Sequence, residues 1–168
     1  MIKVIDNFLD PNLFKSIQSY LMSSDFPWYW NPYVASYNEE IHNLKNPLNN
    51  FQFTHTFYQY NEPCSDGYKL IKHVIERLDA KSLIAAKCNL LPRLNEIEEH
   101  GYHTDFDFPC NTGVLYINTC NGYTKFESTG EKVYSVENRF VMFPSHVSHT
   151  GSSCTDQKSR LVLNINWI

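Results

Sequence analysis

The sequence predicts one mainly β domain, a two-sheet sandwich or barrel with two helices packed on the outside of one sheet. Three observations predict it. From residue 83 onward the 168-residue chain breaks into short segments, SLIAAKCNLLPR, GYHTDF, TGVLYIN, YTKF, EKVYSV, RFVMF and RLVLNINW. Gly, Asn, Pro and Ser turns separate them, a pattern that suits antiparallel strands better than a parallel α/β sheet. Helical periodicity is confined to the first half. Aromatic residues make up 15% of the chain, and aromatic and β-branched side chains fit pleated surfaces. A chain of this length buries roughly 68–70% of its unfolded surface, enough for one sizeable core. No internal boundary, repeat or low-complexity tract interrupts residues 1–168, which divide into supporting helices and strands over 1–82 and a β core over 83–168.

Each element has its own signal. IKVID reads as a first short strand. Asp10-Pro11 is an N-cap followed by proline at the first helical position. Leu13, Ile17 and Leu21 then recur at helical spacing, so a helix is expected over about 11–23. FPWYW (26–30) and FQFTHTFYQY (51–60) are strand-like. In the second, Phe51, Phe53, His55, Phe57 and Gln59 share one face. Between them runs a long connection holding Pro32, Pro47 and Asn49-Asn50. Residues 66–79 place Leu70, Ile71, Val74, Ile75 and Leu78 on one stripe, the clearest helical pattern in the chain. The last strand has two faces. Arg160, Val162, Asn164 and Asn166 point one way, and Leu161, Leu163, Ile165 and Trp167 the other.

Composition limits what the chain does. Net charge is −4 with 14 Lys and Arg, and no basic run supplies the phosphate neutralisation on which nucleic-acid affinity depends. No apolar stretch approaches the roughly 18 residues of a membrane span, and MIKVIDNFLD lacks a signal-peptide apolar region. Five cysteines (Cys64, Cys88, Cys110, Cys120, Cys154) with no CxxC or CxxxC spacing read as reduced thiols in a cytoplasm, not as an iron–sulfur or zinc site.

The chemistry gathers in His103-Thr104-Asp105, His149 and Arg160. On a strand, residues two apart share a face, so His103 and Asp105 can reach one metal while Thr104 points away. His149 follows 44 residues after Asp105, enough chain to cross a sandwich and return. His146 is a rival third ligand, and the spacing to Arg160 favours His149. Arg160 sits on the polar face of an otherwise apolar strand, where a guanidinium needs a partner, and a carboxylate ligand can meet it with two hydrogen bonds. Two histidines and one carboxylate leave one face of a metal open, a geometry suited to non-haem Fe(II) binding a chelating co-substrate beside O₂.

These residues, in this order, resemble the Fe(II)- and 2-oxoglutarate-dependent dioxygenases of the prolyl-4-hydroxylase-like group, especially the short single-domain versions carried by bacteriophages. The resemblance is carried mainly by residues 83–168. It implies a double-stranded β-helix of jelly-roll or cupin-like type, with the N-terminal helices packed on one sheet. It implies that His103, Asp105 and His149 hold Fe(II) and act as the catalytic centre, and that Arg160 pairs with the distal carboxylate of 2-oxoglutarate. Tyr116, in VLYIN, matches the tyrosine of a Tyr-x-Asn strand that contacts the same carboxylate. Asn89 and Asn164 are candidates for the metal-proximal end. Many relatives carry Gly-Gly-x-Thr after that strand, whereas this chain reads NTCNGYTKF. The implied reaction consumes 2-oxoglutarate and O₂, releases succinate and CO₂, and hydroxylates an unactivated C–H, with ascorbate in support. The expected substrate is a peptide, with proline the leading side chain, or a small molecule. The location is a cytoplasm, that of the host if the chain comes from a phage. Two alternatives stand beside this reading: a jelly-roll binding module without chemistry, and a cupin-type metalloenzyme that does not use 2-oxoglutarate. The intact triad argues against the first and Arg160 against the second. Loops over 31–50 and 106–112 are expected to set specificity.

Overall fold

The computed structural model describes residues 1–34 and 46–168. Its elements in order are β1 (Lys3–Ile5), α1 (Pro11–Leu21), β2 (Tyr29–Asn31), a 3₁₀ turn (Pro47–Asn49), β3 (Gln52–Gln59), β4 (Glu62–Pro63), α2 (Tyr68–Arg77), β5 (Leu83–Pro92), β6 (Asn111–Tyr116), β7 (Tyr123–Phe126), β8 (Lys132–Tyr134), β9 (Phe140–Pro144), β10 (His149–Gly151) and β11 (Ser159–Trp167). The large sheet runs β1-β9-β6-β11-β5-β3-β2, with β4 added on β3, and the small sheet runs β10-β7-β8. All the pairings are antiparallel.

The expected jelly roll with helices on one sheet is what forms. Asp10 caps α1, its carboxylate accepting from the N–H groups of Asn12 (2.9 Å) and Leu13 (3.3 Å). Phe14, Ile17 and Leu21 of α1 and Ile71 and Val74 of α2 are buried against Leu161, Leu163, Ile165 and Trp167 of β11 and Ala86 and Cys88 of β5. The opposite face of the large sheet looks into the sandwich, where Val114 and Tyr116 of β6, Val141 of β9 and Val162 of β11 meet Phe126 and Val133 of the small sheet. The period-two reading of the last strand therefore holds residue by residue.

One expectation needs correction. GYHTDF, expected as a strand, contributes only an isolated bridge between His103 and His149. Asp105 N–H donates instead to Ser145 O (3.1 Å), so the segment is held by single bonds to neighbouring loops rather than by a ladder. The hydrophobic strand before His149 ends at Pro144 as β9, and His149 opens β10. In β3 the alternation holds until a register shift between Thr56 and Tyr58, after which Tyr58 stacks on Tyr68 of α2, ring centroids 5.5 Å apart. Of the long connection over 31–50, residues 35–45 lie outside the described residues.

Because Ile71 is fully buried between α2 and the sheet, Ile71→Ala is expected to cost about 2–5 kcal/mol of stability. Urea unfolding should show a lower midpoint at an unchanged slope. A midpoint equal to wild type would mean that α2 does not cover the core.

Candidate metal centre

The bridge that replaces the expected strand builds the site. His103 N–H donates to His149 O and His149 N–H to His103 O, both at 3.0 Å, which joins two segments far apart in sequence. Their rings lie 4.5 Å apart between centroids. His103 Nδ1 sits 3.2 Å from Gly101 O and His149 Nδ1 3.0 Å from Val147 O. A carbonyl can only accept, so each Nδ1 carries its hydrogen and each Nε2 presents a lone pair. The two Nε2 atoms lie 3.8 and 3.9 Å from Asp105 Oδ1. One donor atom from each of the three residues falls within 4.8 Å of the others. Asp105 is itself held from behind: Thr112 Oγ1 (2.7 Å) and Asn166 Nδ2 (2.8 Å) both donate to Oδ2, which leaves Oδ1 to the histidines. Two imidazoles of fixed tautomer and one oriented carboxylate fit a divalent first-row metal. His146 is exposed and outside this group.

The donors open into a cavity of about 410 Å³ between the sheets. Lys87, Asn89 and Asn164 line it from the large sheet, Thr124 and Gly151 from the small one, and Arg160 lies at its wall. Arg160 is only 2% exposed. Its Nε donates to Ser135 Oγ (2.8 Å) and its Nη2 to Thr124 Oγ1 (3.2 Å), and among the described residues no carboxylate pairs with it. Gly122 makes room for this side chain, since a Cβ there would sit 2.6 Å from Arg160 Cδ and 2.7 Å from Ser153 O. The NTCNGYTKF departure is thus accommodated: Gly122 clears the guanidinium stem and Thr124 receives its hydrogen bond.

The sequence-predicted residues do not all stand on the cavity wall. His103, Asp105, His149, Arg160, Asn89 and Asn164 do. Tyr116 is fully buried beneath Arg160, whose guanidinium carbon lies 5.6 Å from its ring centroid. Its hydroxyl is within hydrogen-bond distance of Thr124 Oγ1 (2.9 Å) and Val133 O (3.1 Å), so it steadies the arginine and Thr124 from behind. Asn89 Oδ1 is buried with no hydrogen-bond partner, a free acceptor beside the metal ligands. Register places Asn89 opposite Val162, and Lys87 opposite Asn164, on adjacent strands.

Burial shapes the charges. It pushes His149 below the ordinary imidazole value, with His103 adding to the effect, which favours the neutral form that binds metal. It also pushes Lys87 down, against the pull of Asp105. His100, 3% exposed, has neither ring nitrogen paired. Burial, then Arg160, drives its pKa down to about 4. Near this end one acid is partly neutralised. Glu99 accepts from Tyr123 Oη (2.6 Å) and Lys125 Nζ (2.8 Å), with Lys132 Nζ at 3.5 Å.

Thr112, Asn166 and Lys87 escaped sequence reasoning as site residues. Asn166 carried a signal, since it shares a strand face with Arg160. Lys87 carried another, a lone charge inside an apolar strand. Thr112 had none.

No protein-family model matches the chain, and no curated protein matches its sequence. Solved structures do match its fold. A prolyl-4-hydroxylase of Pseudomonas putida aligns at 16% identity over 99% of this chain and 91% of its own, TM-score 0.63. A Trichoplax adhaerens prolyl hydroxylase, solved with a hypoxia inducible factor peptide fragment, aligns at 14% over 99% and 83%, TM-score 0.65. A 2OG-Fe(II) oxygenase family oxidoreductase of Burkholderia pseudomallei aligns at 8% over 99% and 84%, TM-score 0.69. The chain has the fold of these proteins.

His149→Ala should abolish tight Mn(II) or Co(II) binding in a calorimetric titration, whereas His146→Ala should leave it unchanged. Thr112→Ala should weaken it about ten- to a hundredfold, the usual cost of losing a group that orients a ligand. The reverse outcome for the two histidines would overturn the ligand assignment. The buried, neutral His100 gives a pH signature. Its native pKa lies below the unfolded value of 6.5, so the native state binds fewer protons between about 4 and 6.5, and stability falls as pH drops through that window. His100→Phe should lose this part of the pH slope in urea unfolding; an unchanged slope would mean that the ring is protonated or solvated in the fold.

Proposed function

We propose that the chain is an Fe(II)- and 2-oxoglutarate-dependent oxygenase that hydroxylates an unactivated C–H, with a peptide as substrate and proline the leading side chain. The observation that carries this is the shared cavity: a two-histidine, one-carboxylate group able to hold a metal and a buried arginine without a carboxylate partner among the described residues line the same space. A cupin-type metal site that takes no dicarboxylate gives Arg160 no task, and a pure binding module gives none to the oriented triad.

Fe(II), when bound, supplies the activation of O₂ and the oxidative decarboxylation of the chelated oxo acid. The chain's residues bind, orient and seal. His103, Asp105 and His149 would hold the metal at the edge of the cavity they line. Arg160 receives the distal carboxylate with charge-assisted hydrogen bonds, directed by Ser135, Thr124 and the ring of Tyr116. Asn89, with its unpaired Oδ1, and Asn164 offer polar contacts on the same large-sheet wall as Arg160. Val114, Val162 and Leu91 give the cavity wall its apolar part.

Support for a peptide comes from three sides. One structure of the same fold was solved with a peptide fragment. Tyr29, Trp30 and Tyr33 stand exposed along and just beyond edge strand β2, whose last residue Asn31 lines the cavity, and aromatic surfaces of this kind suit proline-rich segments. The net charge of −4 gives duplex nucleic acid little attraction. The test of the substrate incubates the protein with Fe(II), ascorbate and 2-oxoglutarate. Proline-rich peptides go in one arm and methylated oligonucleotides in another, and mass spectrometry looks for a gain of one oxygen. Oligonucleotide demethylation with inert peptides would overturn the substrate class.

Arg160→Ala should weaken 2-oxoglutarate binding by roughly 1.5–3 kcal/mol, about ten- to a hundredfold, as expected for a lost charge-assisted contact. Mn(II) affinity should stay unchanged in the same titration. Equal 2-oxoglutarate affinity in variant and wild type would remove the basis of the co-substrate reading.

A further inference from the structure

We propose that Cys120 and Cys154 form a peroxide-reactive dithiol that closes to a disulfide beside Arg160. Spacing in the sequence separates them by 34 residues, yet the fold brings the two thiols together with Asp156, one donor atom from each lying within 4.8 Å of the others. Both are free and buried, Cys120 being 6% exposed. Their loops are clamped to each other. Asn121 Nδ2 donates to Thr155 Oγ1 (2.7 Å), Thr155 N–H donates back to Asn121 Oδ1 (3.0 Å), and Asn121 N–H donates to Asp156 Oδ1 and Oδ2 (3.0 and 3.1 Å). That last contact turns the Asp156 carboxylate toward the backbone, which favours a sulfur–sulfur pair over a metal clamp. The clamp holds the sulfurs close at little further entropic cost, the condition under which a second thiol captures an oxidised first one.

The environment selects Cys120 as the nucleophile. The Cys154 thiol beside it, the N–H of Gly122 and the charge of Arg160 bring its pKa down to about 6, while the same contact with Cys120 and burial push Cys154 up. A thiolate with a resolving thiol in reach is the arrangement that hydroperoxides oxidise. The Cys120 thiolate attacks one peroxide oxygen. The O–O bond breaks, hydroxide leaves and is protonated to water, and Cys120 becomes a sulfenic acid. Cys154, losing its proton, attacks that sulfur. The S–O bond breaks and the second oxygen departs as water with the proton that Cys154 released. Two thiols and one hydrogen peroxide become one disulfide and two waters; the sulfurs lose two electrons and the peroxide oxygens gain them.

The consequence for the anion site rests on the co-substrate reading. Gly122, two residues after Cys120, lies against Arg160 Cδ, and the Cys120 thiolate and the guanidinium attract each other, so oxidation removes one negative charge acting on Arg160. An arriving carboxylate then meets a less compensated cation and binds more tightly.

The test treats the Mn(II)-loaded protein, which avoids iron–peroxide side reactions, with hydrogen peroxide, then alkylates remaining thiols and maps the digest by mass spectrometry. A Cys120–Cys154 crosslink is expected, with Cys88 and Cys110 still alkylated after denaturation. Cys154→Ser should stop at a dimedone-trappable sulfenic acid on Cys120, and Cys120→Ser should leave Cys154 reduced. Oxidation confined to the exposed Cys64, with Cys120 and Cys154 alkylated, would overturn the proposal even if all variants fold. 2-Oxoglutarate should bind severalfold more tightly to the oxidised protein and equally before and after peroxide in Cys120→Ser. Unchanged affinity in a crosslinked protein would overturn the coupling. Failure of both redox forms to bind 2-oxoglutarate, with the crosslink present, would sink the co-substrate reading and leave the dithiol standing.

Discussion

Strand β11 holds the molecule together and builds its site, because the two faces of one extended segment cannot be exchanged without exchanging all of them. It lies in the middle of the large sheet, paired along its length with β5 and over most of it with β6. Outward, Leu161, Leu163, Ile165 and Trp167 are buried under α1 and α2. Inward, Arg160, Val162 and Asn164 line the cavity, and Asn166 grips the carboxylate of Asp105. A one-residue slip would drive the guanidinium into the helical core and turn four apolar side chains toward the metal. Hydrophobic burial therefore fixes the functional register, and the site inherits its precision from the core.

The centre is placed by contacts that carry no metal chemistry themselves. His103 and His149 come from irregular or very short segments, yet a reciprocal pair of backbone hydrogen bonds locks them together. The Nδ1 contacts with Gly101 O and Val147 O set both tautomers, and Thr112 with Asn166 sets which carboxylate oxygen is free. Arg160 is treated in the same way, with Ser135 and Thr124 accepting its hydrogen bonds and Tyr116 beneath. Each reacting group is thus held through another residue on a regular strand or a loop tied to one, which narrows its motion before any ligand arrives.

The parts legible in the sequence were those fixed by periodicity or by a spaced motif. Asp10-Pro11 and the Leu13, Ile17, Leu21 repeat gave α1 to within two residues of its end, and alternation assigned both faces of β11. The triad and Arg160 were legible because their residue types and order are specific as a set. What stayed hidden depends on tertiary proximity. Thr112 looks like any strand threonine until Asp105 arrives beside it. Cys120 and Cys154 share no ligand-like spacing, since two loops rather than one turn bring them together. GYHTDF has the composition of a strand, but its backbone partners are scattered over several loops, so no ladder forms.

Seen as energetics, the cavity is where the fold accepts instability. Among the described residues a guanidinium is buried without a carboxylate partner, Lys87 is held in a half-buried wall, Asn89 Oδ1 has no partner, and His100 keeps both nitrogens unpaired. Each such group opposes folding, because desolvated polar atoms and charges lose their water without full replacement. Elsewhere the chain is strict: Arg139 forks onto Asp6, with its Nη2 3.1 Å from Oδ2, and Glu99 collects two lysines and a tyrosine hydroxyl. Apart from His100, which lies off this cavity, the unpaired groups share one wall space, as the proposed anion site would require. A ligand that supplies carboxylates to Arg160 removes part of that opposition, so binding and folding stability rise together. On the proposed reading, resistance to unfolding follows the occupancy of the Arg160 site, with β11 as the element that both the core and the ligand would hold in place.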